Sequence, residues 1–178
     1  LASAKSEVSQ PLFVVLMPIA YLMVWGCYMW LFLTDHPRAR RLVSRLALAA
    51  VFLDLAATVH LSMELHRLPM GGPLEFLGLL ALAMLATYLV IERRLKAKNT
   101  GFLIIGMAFL LKFLSSALVT PVREASAFLS DPGFAGHAVF ILLAYTALSL
   151  SFLYAVLYMI LARQLMRRQF GLLFRRLP

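Results

Sequence analysis

The sequence predicts an all-α fold, a polytopic integral membrane protein with about five transmembrane helices, and three observations support this. Of its 178 residues, 62% are hydrophobic and 14% are charged, whereas soluble domains carry about 45–50% apolar and about 25% charged residues. Five apolar runs are long enough to cross about 30 Å of hydrocarbon. The charged residues fall in short blocks between these runs, as in membrane loops. We therefore predict one transmembrane domain.

The predicted helices are residues 11–33, 42–63, 73–91, 101–119 and 136–161, followed by a basic tail at 162–178. Pro11 opens the first helix at a position that tolerates proline, and Pro18 predicts a kink inside it. The second helix is interrupted by Asp54 near its middle. A charged block at 92–98 separates the third and fourth helices. The fifth lies in a stretch, 132–162, that has no Asp, Glu, Lys or Arg.

Basic residues are distributed unequally between the two sides of these helices. The loops at 34–45 and 92–99 and the tail hold 13 Lys and Arg, and the opposite side holds three: Lys5, Arg67 and Arg123. The positive-inside rule then predicts an N-terminus outside and a cytoplasmic tail, in a bacterial inner membrane. The tail interleaves arginine with apolar residues, so its expected partners are anionic membrane lipids and not nucleic acid, unless it connects to a further helix.

The single cysteine, Cys27, excludes several kinds of protein. It excludes a disulfide scaffold, a cysteine zinc site and the C-x-x-C-H attachment sequence of c-type cytochromes. No catalytic dyad, nucleophile or phosphate loop is visible either. The sequence therefore predicts a protein that is not an enzyme.

Three of the four histidines fall on the predicted outer side. They are His60 near the end of the second helix, His66 in the loop after it and His137 at the start of the fifth. Imidazole is a common metal ligand, and two facing imidazoles can hold a haem iron axially. The alternative is that these residues form only hydrogen bonds at the membrane interface. His36 lies on the inner side, where a solvated loop histidine is expected.

Haem also carries two propionates, and the outer-side basic groups near these histidines are Arg67 and Arg123. The planar guanidinium of arginine donates two parallel hydrogen bonds to a carboxylate. Both arginines are therefore candidate propionate ligands. The alternative partners are the outer-side acids: Glu64, Glu75, Glu124 and Asp131.

Two charges lie inside the predicted hydrocarbon layer. Asp54 and Lys112 are each about 17–18 Å from the inner ends of their helices at a rise of 1.5 Å per residue. Because an unpaired charge is costly there, we expect an intramembrane ion pair and contact between the second and fourth helices. A proton or ion pathway is the functional alternative, but the sequence offers no further chain of relay residues.

One stripe of the fifth helix carries small or smooth side chains below His137. With a period of 3.6 residues, the stripe contains His137, Ile141, Ala144, Leu148, Ser151 and Ala155. Such a stripe permits close helix packing, or it leaves room for a flat ligand beneath the histidine. The sequence alone leaves both alternatives open.

Three segments resemble the cytochrome c assembly proteins, a haem-handling membrane family with CcsA and HemX types. The stretch 136–148, GHAVFILLAYTAL, looks like the family's His-x6-7-[SA]-Tyr-Ala helix opening, and 66–77, HRLPMGGPLEFL, is similar to a segment between two of its helices. The ending LFRRLP at 173–178 fits its cytoplasmic connector. The resemblance spans residues 55–178. The family's Trp-rich external segment would follow residue 178, so we expect a chain nearer to the HemX type or a shortened relative.

This resemblance implies a protein that binds or handles haem at its outer face in cytochrome c-type biogenesis. It implies that His137 is an axial ligand of the iron, with haem b as the hypothesised form. His66 or His60 is then the weaker candidate for the second ligand, and Arg67 and Arg123 are candidates for the propionates. The expected partners are other membrane subunits or cytochrome c assembly partners. The alternative function is a structural accessory subunit of a larger respiratory or photosynthetic complex, without haem of its own.

Overall fold

The structure, a computed structural model, describes residues 2–95, 98, 100–118 and 131–166, with side chains from residue 15 onward except at position 132. Five helices form the described chain: α1 Ala2–Thr34, α2 Pro37–Leu65, α3 Pro73–Leu95, α4 Gly101–Leu118 and α5 Pro132–Met166. No strand occurs within the described residues. All five helices are long and apolar enough to cross a membrane. The predicted all-α fold is therefore confirmed.

Most of the helices are longer than the apolar runs that predicted them. α2 begins five residues before the predicted start, at Pro37, and α5 begins four residues early, at Pro132. His36 caps α2, because its Nδ1 accepts a hydrogen bond from the Arg38 backbone N–H at 3.2 Å. Hydropathy detects only the part of a helix that lies in hydrocarbon, whereas backbone hydrogen bonding continues into the polar interface. The first five residues of the predicted tail belong to α5, and residues 167–178 lie outside the described residues.

Helices α1 to α4 form a four-membered ring in chain order. α1 packs against α2 and α4, and α3 packs against the same two helices, so that α1 faces α3 and α2 faces α4 across the interior. α5 lies outside this ring, mainly against α3 and along one edge of α4. The turns between α1 and α2 and between α2 and α3 are short, which places consecutive helices antiparallel.

The interior of the ring is aromatic and aliphatic, with tyrosines distributed along it. Its largest fully buried side chains include Tyr21, Tyr28, Tyr88, Met84 and Leu85. Half of the apolar segment of α3 is buried, against 17% for α5, so α3 is the central helix and α5 is peripheral. Tight approach at the ring of helices depends on Gly101, where an added Cβ would collide with the aromatic ring of Tyr28 and the hydroxyl of Tyr88.

We name the two ends of the bundle after the residues found there. The histidine end contains the last residues of α2 and the first residues of α3 and α5. The arginine end contains the end of α1, the start of α2 and the end of α3. Trp25, on the second half of α1, donates from Nε1 to the Phe102 carbonyl at 3.0 Å and stacks on Phe109. That segment is therefore part of the helix packing toward the arginine end.

Candidate functional sites

A buried ion pair occupies the interior of the ring, as the equal depths of its members predict. Lys112 Nζ lies 2.5 Å from Asp54 Oδ1, and the Tyr21 hydroxyl donates to Asp54 Oδ2 at 2.8 Å. Asp54 is 1% exposed, and both of its carboxylate oxygens have a partner. A charge in hydrocarbon is stable only with such partners. The arrangement is a satisfied ion pair with a tyrosine donor.

The second and fourth helices touch at this pair, as expected, through its two side chains. α2 and α4 face each other across the ring and share no extensive interface; the wide interfaces of α2 are with α1 and α3. Asp54 and the long Lys112 side chain meet across the interior instead, and Tyr21 on α1 contacts the same carboxylate from a third helix. Contact between two intramembrane charges therefore did not require adjacent helices.

A second polar cluster, which the sequence analysis missed, surrounds Glu92 near the arginine end. Glu92 is 3% exposed and accepts hydrogen bonds from the hydroxyls of Tyr28 and Ser44. Lys98 Nζ lies 3.4 Å from Glu92 Oε1 and donates to Ser44 Oγ at 2.6 Å. Three helices and the α3–α4 connection therefore meet on one carboxylate. In the sequence Glu92 counted only as one charge of a loop block.

A spacing of seven residues links the two clusters along α1. Tyr21 and Tyr28 lie two turns apart on one face of α1, with the buried Val24 between them. The seven-residue spacing puts both tyrosines on one face of α1. That spacing is the sequence feature from which a polar cluster at each tyrosine could have been predicted. The apolar side chain between them separates the clusters, and each cluster satisfies its own charges.

The guanidinium of Arg67 is paired with a carboxylate of the chain itself. Arg67 Nη1 and Nη2 donate to Glu75 at 3.0 and 3.3 Å, and Nη1 also donates to the Leu68 carbonyl at 3.0 Å. The two side chains are 1% and 5% exposed, and Glu75 also accepts from the Gly71 backbone N–H at 2.8 Å. Arg67 thus pairs with an outer-side acid, which is the alternative that the sequence left open, and its propionate role stays a prediction. Arg123 lies outside the described residues.

The Arg67–Glu75 pair fixes the turn that leads from α2 into α3. His66 ends α2 in the left-handed conformation, with φ 52°, and its backbone N–H donates to the Ser62 carbonyl. Gly71 packs against the guanidinium so closely that an added Cβ would lie 2.9 Å from its nitrogens. Glycine at 71 and the buried pair together hold the loop that carries His66.

The three predicted histidines are at the histidine end and exposed, and they lie on two separate helices. His60 Nδ1 lies 3.7 Å from Glu64 Oε1 one turn further along α2. His66 follows at the end of that helix, whereas His137 is on α5. α3 packs between α2 and α5. The fold therefore brings the histidines to one end without clustering them.

His137 lies beyond the start of α3. Phe76, near the start of α3, contacts Tyr145 edge-on with ring centroids 5.7 Å apart, and the α5 residues that follow, Leu150 and Leu153, are buried in the core. α3 and α5 therefore run in the same direction. His137 precedes Tyr145 by eight residues, about 12 Å of helix, whereas α3 starts only about 4.5 Å before Phe76. The imidazole thus projects about 8 Å past the first residue of α3.

The stripe below His137 is open along its whole length. His137, Ile141, Ala144, Leu148, Ser151 and Ala155 are all exposed, with Leu148 at 65%. α5 packs on the ring with a different face, which contains Ala138, Thr146, Leu150, Leu153 and Leu157. Close packing of the stripe, one of its two predicted uses, does not occur among the described helices.

Within the described ranges, no three His, Cys, Asp or Glu side chains gather to hold a metal ion. Haem needs only one or two axial side chains and is not covered by that criterion. Comparisons of the chain with protein-family models, curated proteins and solved structures find no match. The site must therefore be argued from its own geometry.

Proposed function

We propose that this chain handles haem at its histidine end, which we take as the outer face of a bacterial inner membrane. The observation that carries the proposal is the open stripe of α5 beneath an exposed His137. An imidazole at the interface, above a track of small and apolar side chains, suits a flat apolar macrocycle with an iron at its centre. The resemblance of residues 136–148 to the family's histidine-led helix supports the same assignment.

Each residue of the site has a separate task in this proposal. His137 supplies a neutral imidazole to the iron, and Ala144 and Ser151 leave space for the ring face. A second ligand from His66 or His60 requires the porphyrin to extend over the start of α3, since that helix lies between them. Arg123 remains the proposed propionate partner in this chain. Haem handling needs reversible ligation, which one accessible imidazole provides, and no covalent catalysis by the protein.

The first experiment is an absorption spectrum of the purified chain, produced in cells with ample haem. We expect a Soret band that is lost or shifted in His137→Ala, with haem affinity at least about tenfold weaker. His36→Ala, which removes an exposed histidine at the opposite end, is the matched control and leaves the band unchanged. A spectrum of His137→Ala identical to that of the native chain contradicts the proposal.

A second experiment tests the stripe. Ala144→Phe fills the track below His137 and should weaken haem binding without removing the ligand. Leu143→Phe adds a ring at the neighbouring exposed position, off the stripe, and should leave binding unchanged. Equal effects of the two substitutions would show that haem does not lie along this stripe.

The open stripe also favours a second candidate, an accessory subunit whose α5 is covered by another protein of a larger membrane complex. A chain of this kind copurifies with that complex at fixed stoichiometry and has no Soret band of its own. The stripe variant Ala144→Phe would then release the chain from the complex, whereas His137→Ala would not.

A further inference from the structure

The arginine end carries a groove that none of the preceding arguments uses. It is open, has a volume of about 310 Å³ and is lined by Arg38, Arg41, Leu42 and Arg45 at the start of α2. Spacings of three and four residues put these side chains on one face of the helix. Three guanidinium groups therefore surround a space at the membrane-facing start of a transmembrane helix.

Among the described residues, no carboxylate lines this groove. Asp35 and Glu92 are the acids that the sequence places at this end. Asp35 lies 3.8 Å from Arg40, outside the groove, and Glu92 is buried among its own partners. The remaining acids are Asp54, paired with Lys112, and five that the sequence assigns to the opposite side. The groove lined by Arg38, Arg41 and Arg45 can therefore take an anion from another molecule.

The positive charge of the groove is increased by the helix itself. α2 starts at Pro37, so the positive end of its dipole lies beside Arg38 and Arg41. Arginine matches the geometry of a phosphate, because its planar fork donates two hydrogen bonds at once. The charge and the geometry together favour a phosphate.

The groove also has an apolar side. Leu42 lines it and is 43% exposed, so a ligand that fills the groove contacts both arginine and leucine. Trp30 is exposed at the same end of the bundle and stacks on His36. An exposed tryptophan is typical of the interface between headgroups and hydrocarbon. A free phosphate would use only the arginines, whereas a phospholipid would place its phosphate on them and an acyl chain along Leu42.

We propose that Arg38, Arg41 and Arg45 form a binding site for the phosphate of an anionic phospholipid, with an acyl chain along Leu42. The site is independent of the haem proposal, since it lies at the other end of the bundle. It differs from general attraction between a basic surface and a membrane, because three defined side chains and the start of one helix bind one headgroup.

Trp30 provides a local probe for this site, because it contacts the residue that caps α2. The full chain is reconstituted in phosphatidylcholine vesicles that contain a minor fraction of brominated phosphatidylglycerol or, separately, brominated phosphatidylcholine. Bromine quenches nearby tryptophan fluorescence. We expect the anionic lipid to quench at least about fivefold more effectively at equal mole fraction. Equal quenching by the two lipids overturns the proposal.

The matched variants remove three positive charges each. Arg38→Gln/Arg41→Gln/Arg45→Gln should bring the ratio between the two lipids close to one. Arg93→Gln/Arg94→Gln/Arg163→Gln removes the same charge from exposed positions on α3 and α5 and should preserve the ratio. Equal losses in both variants would mean attraction by net charge and would overturn the site.

Two further measurements complete the test. Soluble glycerol phosphate should not restore fluorescence, whereas unlabelled phosphatidylglycerol should; restoration by both would identify a phosphate site that does not need a lipid. If the triple variant loses helical circular dichroism, the single variant Arg41→Gln replaces it. We expect at least a twofold fall in the ratio for that variant, and no fall overturns the proposal.

Discussion

The four-helix ring buries several polar side chains among partners, whereas α5 leaves most of its polar side chains exposed. The ring buries three carboxylates: Asp54 and Glu92, which take donors from other helices, and Glu75, which takes them from Arg67 and Gly71 in the turn before α3. α5 buries one threonine, Thr146, which bonds its own backbone, and exposes its histidine and a complete stripe of its surface. Ion pairs and hydrogen bonds inside the ring thus join its helices, whereas the histidine and the stripe of α5 stay accessible to another molecule. The difference separates a scaffold from a surface that can bind another molecule.

The largest expected effect is in the centre of the ring. Lys112→Met should lower the free energy of unfolding by about 3–5 kcal/mol, because Asp54 is left buried without its counter-charge. Unfolding by SDS titration, followed by circular dichroism in micelles, measures the change. Asp54→Asn/Lys112→Met removes both charges and should recover part of the loss. A single variant as stable as the native chain would contradict the scaffold role of the pair.

The next comparison uses one leucine from each region. Leu85→Ala, inside the ring, should cost about 2–4 kcal/mol through lost contacts and a cavity. Leu148→Ala, on the open stripe of α5, should change stability by less than about 0.5 kcal/mol. The same SDS titration applies to both variants. Similar losses at the two positions would mean that the stripe is covered in the folded protein.

Two glycines provide a steric comparison. Gly101→Ala should destabilise the chain by about 1–3 kcal/mol, because its new methyl group meets the ring of Tyr28 and the hydroxyl of Tyr88. Gly136→Ala on α5 meets nothing within 4 Å. It should be neutral or stabilise the chain by up to about 1 kcal/mol, since alanine favours a helix. Thermal unfolding measures whether each variant is less or more stable than the native chain. A loss of stability in Gly136→Ala would contradict an uncovered surface at that position of α5.

The smallest effect concerns a single hydroxyl group. Tyr21→Phe should cost about 1–2 kcal/mol, because one oxygen of the buried Asp54 carboxylate loses its donor. Tyr158 on α5 is 73% exposed, so Tyr158→Phe should leave the unfolding midpoint unchanged. Equal midpoints for the two variants would mean that Tyr21 contributes packing but no hydrogen bond of consequence.

Several features of the molecule could be predicted from the sequence because they depend on one segment at a time. Run length and hydropathy predicted five helices, and equal depth predicted that Asp54 and Lys112 form a pair. Helix ends were less accurate, since Pro37 and Pro132 start helices in polar surroundings that hydropathy does not detect. The stripe below His137 follows from helical period alone, but its two possible uses could not be distinguished from that period.

Tertiary structure decided what depends on several segments meeting. The ring order placed α2 opposite α4, so that Asp54 and Lys112 met across the interior and not at an interface between neighbours. Packing of the helices also paired Arg67 with Glu75. In the same way it placed Tyr28 and Ser44 within hydrogen-bonding distance of Glu92. The composition of the chain determined that helices form and cross the membrane, because hydrophobic transfer acts locally. Which polar groups are satisfied and which stay accessible was decided by packing, because a buried charge takes its partners from wherever the fold brings them.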